Sequence, residues 1–478
     1  MTSVSYISTR GGAPRLGFED VLLAGLARDG GLYVPESWPA LDAATIAGFA
    51  GRPFAEVAAE IIGRFSGEEL PTRVLGEMAA DAYATFGHAA VTPLVQLDAQ
   101  TFVLELFHGP TLAFKDVAMQ MLARLMDHVL EKRGQRVTIV GATSGDTGGA
   151  AIEAFRTSKR VDVVILFPDG RVSDVQRRMM TTPTETNVHA VAIDGTFDDC
   201  QALVKAMFND HAFRDSVALA GVNSINWARI VAQVTYYFVA AVALGAPHRS
   251  VAFTVPTGNF GDIFAGYVAK QMGLPVADLV IASNENDILP RTLETGTYEM
   301  RDVVATSSPS MDIQISSNFE RYLFEASGRD DAYVRNAFAS LAQSRRFDTG
   351  RVAMGLSQEF SARAASEADV AQAIRHVAAT SGYLMDPHTA CAYVAASSVH
   401  KAGRGVPRVV LSTAHPAKFP DAMEAITGSR PGLPPRLAGL MSAPERFERL
   451  ANDLATVERF VESRARAVRE GQTAKGGA

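Results

Sequence analysis

The sequence predicts an α/β protein in which parallel sheets are flanked by helices, preceded by a smaller α+β domain. Three stretches of the sequence support this fold class. Residues 161–168, VDVVILFP, form an apolar, β-branched run bounded by proline, aspartate and glycine, which is typical of a strand buried on both faces. Residues 137–155 and 188–208 each join a similar run to a turn and then to apolar residues at helical spacing. Strands that alternate with helices in this way are expected to pair in parallel.

The first unit, residues 1–95, has a different pattern. The stretch FEDVLLAGLARDGGLYVPESWP predicts a helix that ends at the Asp-Gly-Gly turn, followed by a short strand that ends at proline. The following segment, through EVAAEIIGRF, has apolar residues at helical spacing. Residues 91–97, VTPLVQL, are predicted to be a linker into the next unit.

The alternation of strands and helices continues through the main region, residues 96–430. Further strands, some with a following helix, are predicted within residues 250–273, 277–287 and 407–419. In parallel sheets, ligands bind beyond the carboxyl ends of the strands. The segments GATSGDTG, PTGNFGD and STAHPAKF follow predicted strands and are therefore candidate binding segments.

The last region, residues 431–478, is predicted to be a helical extension and a tail. Within ERFERLANDLATVERFVESRA, apolar residues recur at helical intervals, at Phe447, Leu450, Leu454, Val457 and Val461. This spacing predicts a helix that docks on the core rather than a partner-binding motif. The final residues, GQTAKGGA, are expected to fray.

Composition and charge limit the class of protein. The 478 residues include 45 Lys and Arg against 52 Asp and Glu, a net charge of −7, which argues against a general nucleic-acid-binding protein. The two cysteines, Cys200 and Cys391, are too few for a disulfide framework or a cysteine-rich metal site. The histidines lack metal-ligand spacing, so no metal is assigned.

The N-terminus lacks a signal-peptide pattern, and the longest apolar stretch is too short to cross a bilayer. We therefore expect a cytoplasmic enzyme without a membrane segment, the alternative being a binding protein of similar size.

Residues 256–262, PTGNFGD, link a predicted strand to a predicted helix. Gly258 and Gly261 allow the backbone to direct its N–H groups toward one point, and the helix N-terminus adds partial positive charge. Such an arrangement can bind a phosphate without a cation. The alternative is a plain strand-to-helix turn, and the loop alone does not decide between the two. We call residues 258–262 the glycine loop.

Residues 143–147, TSGDT, also link a predicted strand to a predicted helix. The backbone amides and the hydroxyls of Thr143, Ser144 and Thr147 can bind an anion such as a carboxylate. Asp146 would repel an anion unless it accepts a hydrogen bond from a hydroxyl or an amine. Helix capping is the alternative, which the segment alone favours. We call residues 143–147 the TSGDT loop.

Lys115 lies near the end of the segment HGPTLAFKD, residues 108–116. A surface lysine in the first turn of a helix is the ordinary explanation. Cations are unfavourable at a helix N-terminus, however, and Leu112 and Phe114 predict burial, which costs several kcal/mol for an unpaired ammonium. A Schiff base with an aldehyde relieves that cost. An aldehyde with a phosphate arm is pyridoxal phosphate, which needs a lysine, a phosphate site and a partner for its pyridine nitrogen.

Two further segments contain polar residues next to apolar helices. NSINWARIVAQ places Asn226 and Arg229 at the start of a predicted helix, where Arg229 can bind a substrate phosphate; a surface salt bridge explains it equally well. SPSMDIQISSNFERYL, residues 308–323, contains Asn318 and Arg321, and we expect it to line a cleft.

Together these segments resemble those of the threonine synthases. The matching stretches are, in chain order, STRGG, DGGLYVPE, ELFHGPTLAFKDVAMQ, GATSGDTGGAA, NSINWARI, PTGNFGDIFAGY, SPSMDIQISSNFER and STAHPAKF. Each is weak alone, but the ordered set is specific and extends to about residue 425. The resemblance is to the branch typical of bacteria and fungi, which has its own N-terminal domain. It implies the type II fold of pyridoxal-phosphate enzymes, similar to the tryptophan synthase β chain, with two subdomains and the active site between them.

The resemblance also implies a role for each candidate residue. Lys115 would be the catalytic residue that forms the Schiff base with pyridoxal phosphate, and Thr413 would bond the pyridine nitrogen. The cofactor phosphate would bind the glycine loop, which consists of Gly258, Asn259, Phe260, Gly261 and Asp262. The substrate carboxylate would bind Thr143, Ser144, Gly145, Asp146 and Thr147, and the substrate phosphate would bind Asn226 and Arg229.

The implied reaction converts O-phospho-L-homoserine and water to L-threonine and phosphate by γ-elimination and β-addition of water, the last step of threonine biosynthesis. A threonine or serine dehydratase, or a phospholyase, is the alternative enzyme on the same scaffold. An inactive scaffold that binds pyridoxal phosphate or phosphate is the alternative from another class. The resemblance further implies a monomer rather than a homodimer.

Overall fold

The computed structural model describes residues 3–399, 401–403 and 405–468. Its strands are β1 (Tyr6–Ser8), β2 (Tyr33–Pro35), β3 (Leu94–Gln96), β4 (Thr101–Glu105), β5 (Val137–Ala142), β6 (Val161–Pro168), β7 (Val188–Asp194), β8 (Leu219–Ala220), β9 (Val251–Pro256), β10 (Val276–Ser283), β11 (Thr297–Glu299), β12 (Arg346–Asp348), β13 (Phe360–Ala364), β14 (Arg408–Ser412) and β15 (Glu448–Ala451).

The α-helices surround and connect these strands. They are α1 (Phe18–Ala24), α2 (Ala43–Ala47), α3 (Phe54–Ser66), α4 (Thr72–Tyr83), α5 (Lys115–Arg133), α6 (Asp146–Phe155), α7 (Asp174–Thr181), α8 (Phe197–Asn209), α9 (His211–Ser216), α10 (Trp227–Ala243), α11 (Gly261–Gln271), α12 (Ile288–Thr295), α13 (Phe319–Ala326), α14 (Asp331–Ser344), α15 (Ala353–Glu359), α16 (Glu367–Ser381), α17 (Pro387–Ser398), α18 (Pro420–Thr427) and α19 (Leu454–Arg464).

Two larger sheets form the frame of the molecule. One has six strands in the order β13-β10-β9-β14-β4-β3, and the other has five in the order β15-β7-β6-β5-β8. All pairs in these two sheets are parallel except β3 with β4. Every residue of β6 and of β9 is buried, as expected for parallel strands with helices on both faces. The predicted α/β class with parallel sheets is therefore confirmed.

The sheets bring the candidate binding segments together. The TSGDT loop follows β5 in the five-stranded sheet, and the glycine loop and Thr413 follow β9 and β14 in the six-stranded sheet. The N-terminal helix α3 packs against α10, which also packs against α5 and α11. Both α5 and α11 begin at candidate site residues, Lys115 and Gly261, so this packing fixes two sides of the site.

Three predicted elements differ from the structure. Residues 91–97, predicted to be a linker, contain β3, which pairs antiparallel with β4. The C-terminal helix begins at Leu454 rather than near Phe447, because residues 448–451 form β15 and pair with β7. Both strands lie at sheet edges, where pairing with a neighbour outweighs local propensity. Helix α1 ends at Ala24, with Gly25 as its C-cap, ahead of the predicted Asp-Gly-Gly turn.

Two further expectations concern the ends of the chain and membranes. The expected frayed tail, GQTAKGGA, lies outside the described residues. Among the helices of the described residues, none combines the length and the apolar character that crossing a bilayer requires.

Candidate active site

Backbone hydrogen bonds hold Lys115 beside Thr413. Lys115 is the first residue of α5, and the N–H of Phe114 just before it donates to the carbonyl of Thr413 at 2.8 Å. The carbonyl of Leu112 accepts from the N–H of His415 at 3.1 Å. The end of β14 and the start of α5 are thereby joined, although about 300 residues of chain separate them.

Asp116 fixes the turn that precedes the lysine. Its carboxylate is buried and accepts from the backbone N–H of Thr111 at 2.8 Å and from the Thr111 hydroxyl at 2.7 Å. Burial raises the pKa of Asp116 to about 6. The aspartate next to Lys115 thus anchors its own turn and is not the lysine's partner.

The amine of Lys115 is buried and contacts two polar groups. Its Nζ lies 3.3 Å from Asp146 Oδ2 and 3.4 Å from Ser310 Oγ. Burial lowers the pKa of Lys115, and the nearby positive charges of Lys418 and Arg229 lower it further against the opposing charge of Asp146. A larger fraction of this amine is therefore neutral near pH 7 than is usual for a lysine.

Asp146 is the centre of a buried charge cluster. Its Oδ1 lies 2.6 Å from Lys418 Nζ and accepts from Gln176 Nε2 at 2.9 Å. Although burial opposes ionisation, the charges of Lys418 and Lys115 hold the pKa of Asp146 well below its usual range. The unexpected acid in a predicted anion site is thus explained, because its charge is neutralised by two lysines.

The TSGDT loop is held by internal hydrogen bonds, and some of its backbone N–H groups remain unpaired. The Thr143 hydroxyl accepts from the N–H groups of Gly145 and Gly148, each at 2.9 Å. The N–H groups of Ser144, Asp146 and Thr147 donate to no acceptor in the described part of the chain. Because these amides lie at the N-terminus of α6, they form a site suited to a carboxylate.

The glycine loop has an unusual backbone. Phe260, which is buried, has a left-handed conformation with φ of 63° at the start of α11, and such strain is typical of binding sites. Between residues 258 and 262, no backbone N–H donates to an acceptor within the described ranges. A Cβ at Gly258 would lie 2.8 Å from the carbonyl oxygen of Ser310, so the close approach of these segments requires glycine.

Asp262 anchors the glycine loop through its side chain. Its Oδ1 accepts from the hydroxyls of Tyr236 and Tyr237, whereas its Oδ2 has no partner among the described residues. Burial raises the pKa of Asp262 to about 6. The backbone N–H of Asp262, and not its carboxylate, is therefore the group suited to bind an anion.

Thr413, Arg229 and Asn226 differ in how many of their polar side-chain atoms already form hydrogen bonds within the protein. Thr413 is buried, and its hydroxyl bonds to no other described residue. Arg229 is also buried; it donates to the carbonyl of Val222 at 3.3 Å, its Nε is unpaired, and it forms no ion pair with any residue the structure describes. Burial lowers the pKa of Arg229 to about 10.

Asn226, by contrast, uses its side chain within the protein. Its amide donates to the carbonyls of Leu22 and Gly221, at 3.0 and 3.4 Å, and its oxygen caps α10 by accepting from Ala228 N–H at 3.1 Å. This side chain joins the N-terminal region to α10, and a ligand would have to displace one of these bonds.

Sequence reasoning missed several residues at the site. Lys418, Ser310 and Gln176 all contact Asp146, yet none was given a role. Lys418 belongs to the candidate segment STAHPAKF and Ser310 to the candidate segment SPSMDIQISSNFERYL. The sequence therefore indicated both segments, but it did not indicate that these two side chains contact Asp146. Asn318 and Arg321, expected to line a cleft, are fully buried, and Arg321 donates to the carbonyls of Tyr33 and Ile225.

Family models match nearly the whole chain. Residues 5–83 match the threonine synthase N terminus, residues 85–414 match the pyridoxal-phosphate dependent enzymes, and residues 389–461 match the C-terminal part of threonine synthase.

Curated relatives match over similar lengths. Threonine synthase of Pseudomonas aeruginosa is 51% identical over 465 residues, covering 95% of this chain and 97% of that protein. Threonine synthase of Saccharomyces cerevisiae is 42% identical over 458 residues, covering 88% of this chain and 89% of that protein.

Solved structures share the fold. The pyridoxal-phosphate-bound threonine synthase of Brucella melitensis has a TM-score of 0.94 and 58% identity, covering 97% of this chain and 100% of that one. Yeast threonine synthase has a TM-score of 0.90 and 39% identity, covering 97% and 99%. The fold is therefore that of the type II pyridoxal-phosphate enzymes, as the resemblance implied. The chain belongs to the threonine synthase family, whose pyridoxal-phosphate-dependent reaction forms L-threonine and phosphate from O-phospho-L-homoserine and water.

Proposed function

We propose that the residues around Lys115 perform this reaction with one donor set for each of three anions. The observation that carries the assignment is the group of unpaired donors near a buried lysine: the amides of the glycine loop, the free amides of the TSGDT loop and the Nε of Arg229. Several of these donors belong to buried residues, namely Phe260, Gly261, Asp262, Asp146 and Arg229, and unpaired buried donors are rare in native proteins. The reaction brings together the cofactor phosphate, the substrate carboxylate and the substrate phosphate, and each of these anions suits one donor set.

The glycine loop and Thr413 fit the cofactor. The amides from Gly258 to Asp262 would hold its phosphate, Lys115 would hold its aldehyde carbon, and the Thr413 hydroxyl would bond its pyridine nitrogen. A neutral hydroxyl at that position leaves the ring nitrogen less protonated than a carboxylate would. Pyridoxal phosphate, when bound, supplies an electron sink for negative charge that develops on the substrate.

Lys115 is the proton carrier in this proposal. Because its pKa is lowered by burial, the amine can remove the proton from the substrate's α-carbon near pH 7 and later return it. A second proton leaves the β-carbon and phosphate departs from the γ-carbon, which then receives a proton and becomes the methyl group. Water adds its hydroxyl at the β-carbon as the α-carbon regains a proton, and the remaining proton of the water leaves with the phosphate. Arg229 would hold the departing phosphate. The TSGDT loop would hold the carboxylate through the free N–H groups of Ser144, Asp146 and Thr147, and Asn226 would position Arg229 from the N-cap of α10.

Removing the lysine tests this proposal. Purified protein is expected to be yellow, and the visible absorbance of bound pyridoxal phosphate should disappear in Lys115→Ala, because the substitution removes the amine that holds the aldehyde. Lys270→Ala, which removes a lysine paired with Glu359, is the matched control and should keep the absorbance. Equal absorbance in both variants would contradict the role of Lys115.

We further propose that the protein works in the cytoplasm as a monomer with three regions, residues 1–95, 96–430 and 431–478. In the described residues, the exposed large apolar side chains are Leu26, Val303, Val304, Ile315, Met354 and Met441, too few for the core of an obligate dimer interface. Light scattering on the purified protein is expected to give the mass of one chain, and a mass of two chains would contradict the proposal.

A further inference from the structure

Ser310 connects the reactive lysine to the glycine loop. Its hydroxyl lies 3.4 Å from Lys115 Nζ and 3.3 Å from Asp146 Oδ2. Its carbonyl oxygen is the atom that a Cβ at Gly258 would approach to 2.8 Å. Serine can accept one hydrogen bond while donating another, so its hydroxyl can accept from the Lys115 amine and donate to the Asp146 carboxylate.

A histidine and an aspartate hold Ser310 in place. The backbone N–H of Ser310 donates to His388 Nε2 at 3.2 Å. Since this nitrogen is an acceptor, the ring proton lies on Nδ1, which donates to Asp386 Oδ2 at 2.6 Å. Asp386 is fully buried and also accepts from the N–H groups of His388 and Thr389. The imidazole is therefore fixed in one orientation, and it fixes the backbone of Ser310.

We propose that Ser310 is a further catalytic residue, which orients the Lys115 amine for its proton transfers, and that His388 and Asp386 are positioning residues that act through Ser310. Together with Asp146, the serine hydroxyl gives the amine a second fixed contact, so that the proton taken from the substrate's α-carbon is returned from a fixed position. No bond of Ser310 is broken, and the protons stay on Lys115 and the substrate. The inference rests on the proposed role of Lys115.

Substitution of Ser310 gives the first test. In Ser310→Ala, kcat should fall about 10- to 100-fold while KM changes little, because a hydrogen bond to a charged group is lost at the reacting amine. Ser310→Thr keeps the hydroxyl and should recover most of this loss. Ser398→Ala removes an exposed serine at the end of the same helix as His388 and serves as the control.

The full-length apoenzyme gives a second readout that does not depend on turnover. The rate at which visible absorbance develops after adding pyridoxal phosphate, measured against pH, reports the neutral fraction of Lys115. Loss of the serine acceptor destabilises the ammonium form. The midpoint of this pH profile should therefore move about 0.5–1 unit lower in Ser310→Ala than in the control.

Substitution of His388 separates positioning from simple packing. His388→Gln retains an acceptor for the Ser310 N–H and should keep kcat within about threefold, whereas His388→Phe should resemble Ser310→Ala. If Ser310→Ala does not fold, the two His388 variants decide the matter, and equal kcat values in them would overturn the proposal.

The outcomes distinguish this inference from the proposed function. If Lys115→Ala loses the cofactor absorbance but Ser310→Ala matches Ser398→Ala in kcat and in its pH midpoint, only the role of Ser310 is wrong. If Lys115→Ala keeps the absorbance, the role of Lys115 itself is wrong and this inference fails with it.

Discussion

At the scale of single residues, burial determines the chemistry of Lys115. The amine is held among positive charges, with Asp146 as its counter-charge. Lys418, on the other side of Asp146, donates to the Thr111 carbonyl at 2.8 Å. Lys418 therefore links the segment after β14 to the turn before Lys115, and the charge of Asp146 is needed by both lysines.

Asp146→Asn should lower the free energy of unfolding by about 3 kcal/mol or more, because it leaves two buried amines without a counter-charge. The control is Asp169→Asn, which removes an exposed partner of Arg449 and should cost less than about 1 kcal/mol. Urea denaturation of both variants measures the difference. Similar midpoints for the two variants would mean that the charge cluster contributes no net stability.

Residue types were easier to predict from the sequence than residue contacts. Lys115 and the two loops could be found because glycines, hydroxyls and an apolar-flanked lysine are local signals. The contact of Ser310 with Lys115 joins segments 195 residues apart, and no local pattern encodes it. Asn226 is a similar case. The sequence shows that it lies just before a helix, but not that its side chain bonds to Leu22 and Gly221.

At the scale of elements, the glycine loop depends on close packing against the segment that contains Ser310. Gly258→Ala should weaken pyridoxal phosphate binding by about tenfold or more, because the added Cβ would meet the Ser310 carbonyl at 2.8 Å and displace the loop amides.

Cofactor titration of the full-length apoenzyme, followed by absorbance, measures this effect. The control is Gly76→Ala in α4, where nothing lies within 4 Å of the added Cβ. That change should leave the affinity unaltered and stabilise the protein by about 0.5–1 kcal/mol. An affinity for Gly258→Ala equal to that of Gly76→Ala would show that the loop tolerates a side chain.

Elements with apolar runs on both faces were predictable, whereas edge strands were not. Strand β6 occupies residues 161–168, as predicted. It could be predicted because all its residues are buried and its sequence is accordingly a continuous run of mostly apolar residues. Strands β3 and β15 are partly exposed, so their compositions resemble a linker and a helix. Their conformation comes from the partner strands β4 and β7.

At the scale of the whole molecule, folding buries titratable groups and makes stability depend on pH. Burial lowers the pKa of His415 from 6.5 to about 4. Between these values the unfolded chain binds a proton that the folded protein does not. The neutral His415 therefore does not reduce the free energy of unfolding above about pH 6.5. Between pH 6.5 and pH 4 it lowers that free energy progressively, and below about pH 4 it causes no further decrease.

His415→Asn should make the fall in unfolding free energy between pH 7 and pH 4 smaller, by up to about 3 kcal/mol. Asparagine can still accept the Ala417 N–H, which His415 Nδ1 accepts at 3.1 Å, so the local turn is preserved. The exposed His376→Asn is the control and should follow the wild-type curve. Denaturation at several pH values measures this, and parallel curves for both variants would contradict the assignment.

The most direct test of the central claim, that the donors around Lys115 support threonine formation, is product analysis with O-phospho-L-homoserine. The cofactor-loaded protein is expected to release L-threonine and phosphate in equal amounts, and Lys115→Ala should release neither. Accumulation of 2-oxobutanoate as the main product, or unchanged threonine formation by Lys115→Ala, would contradict the claim.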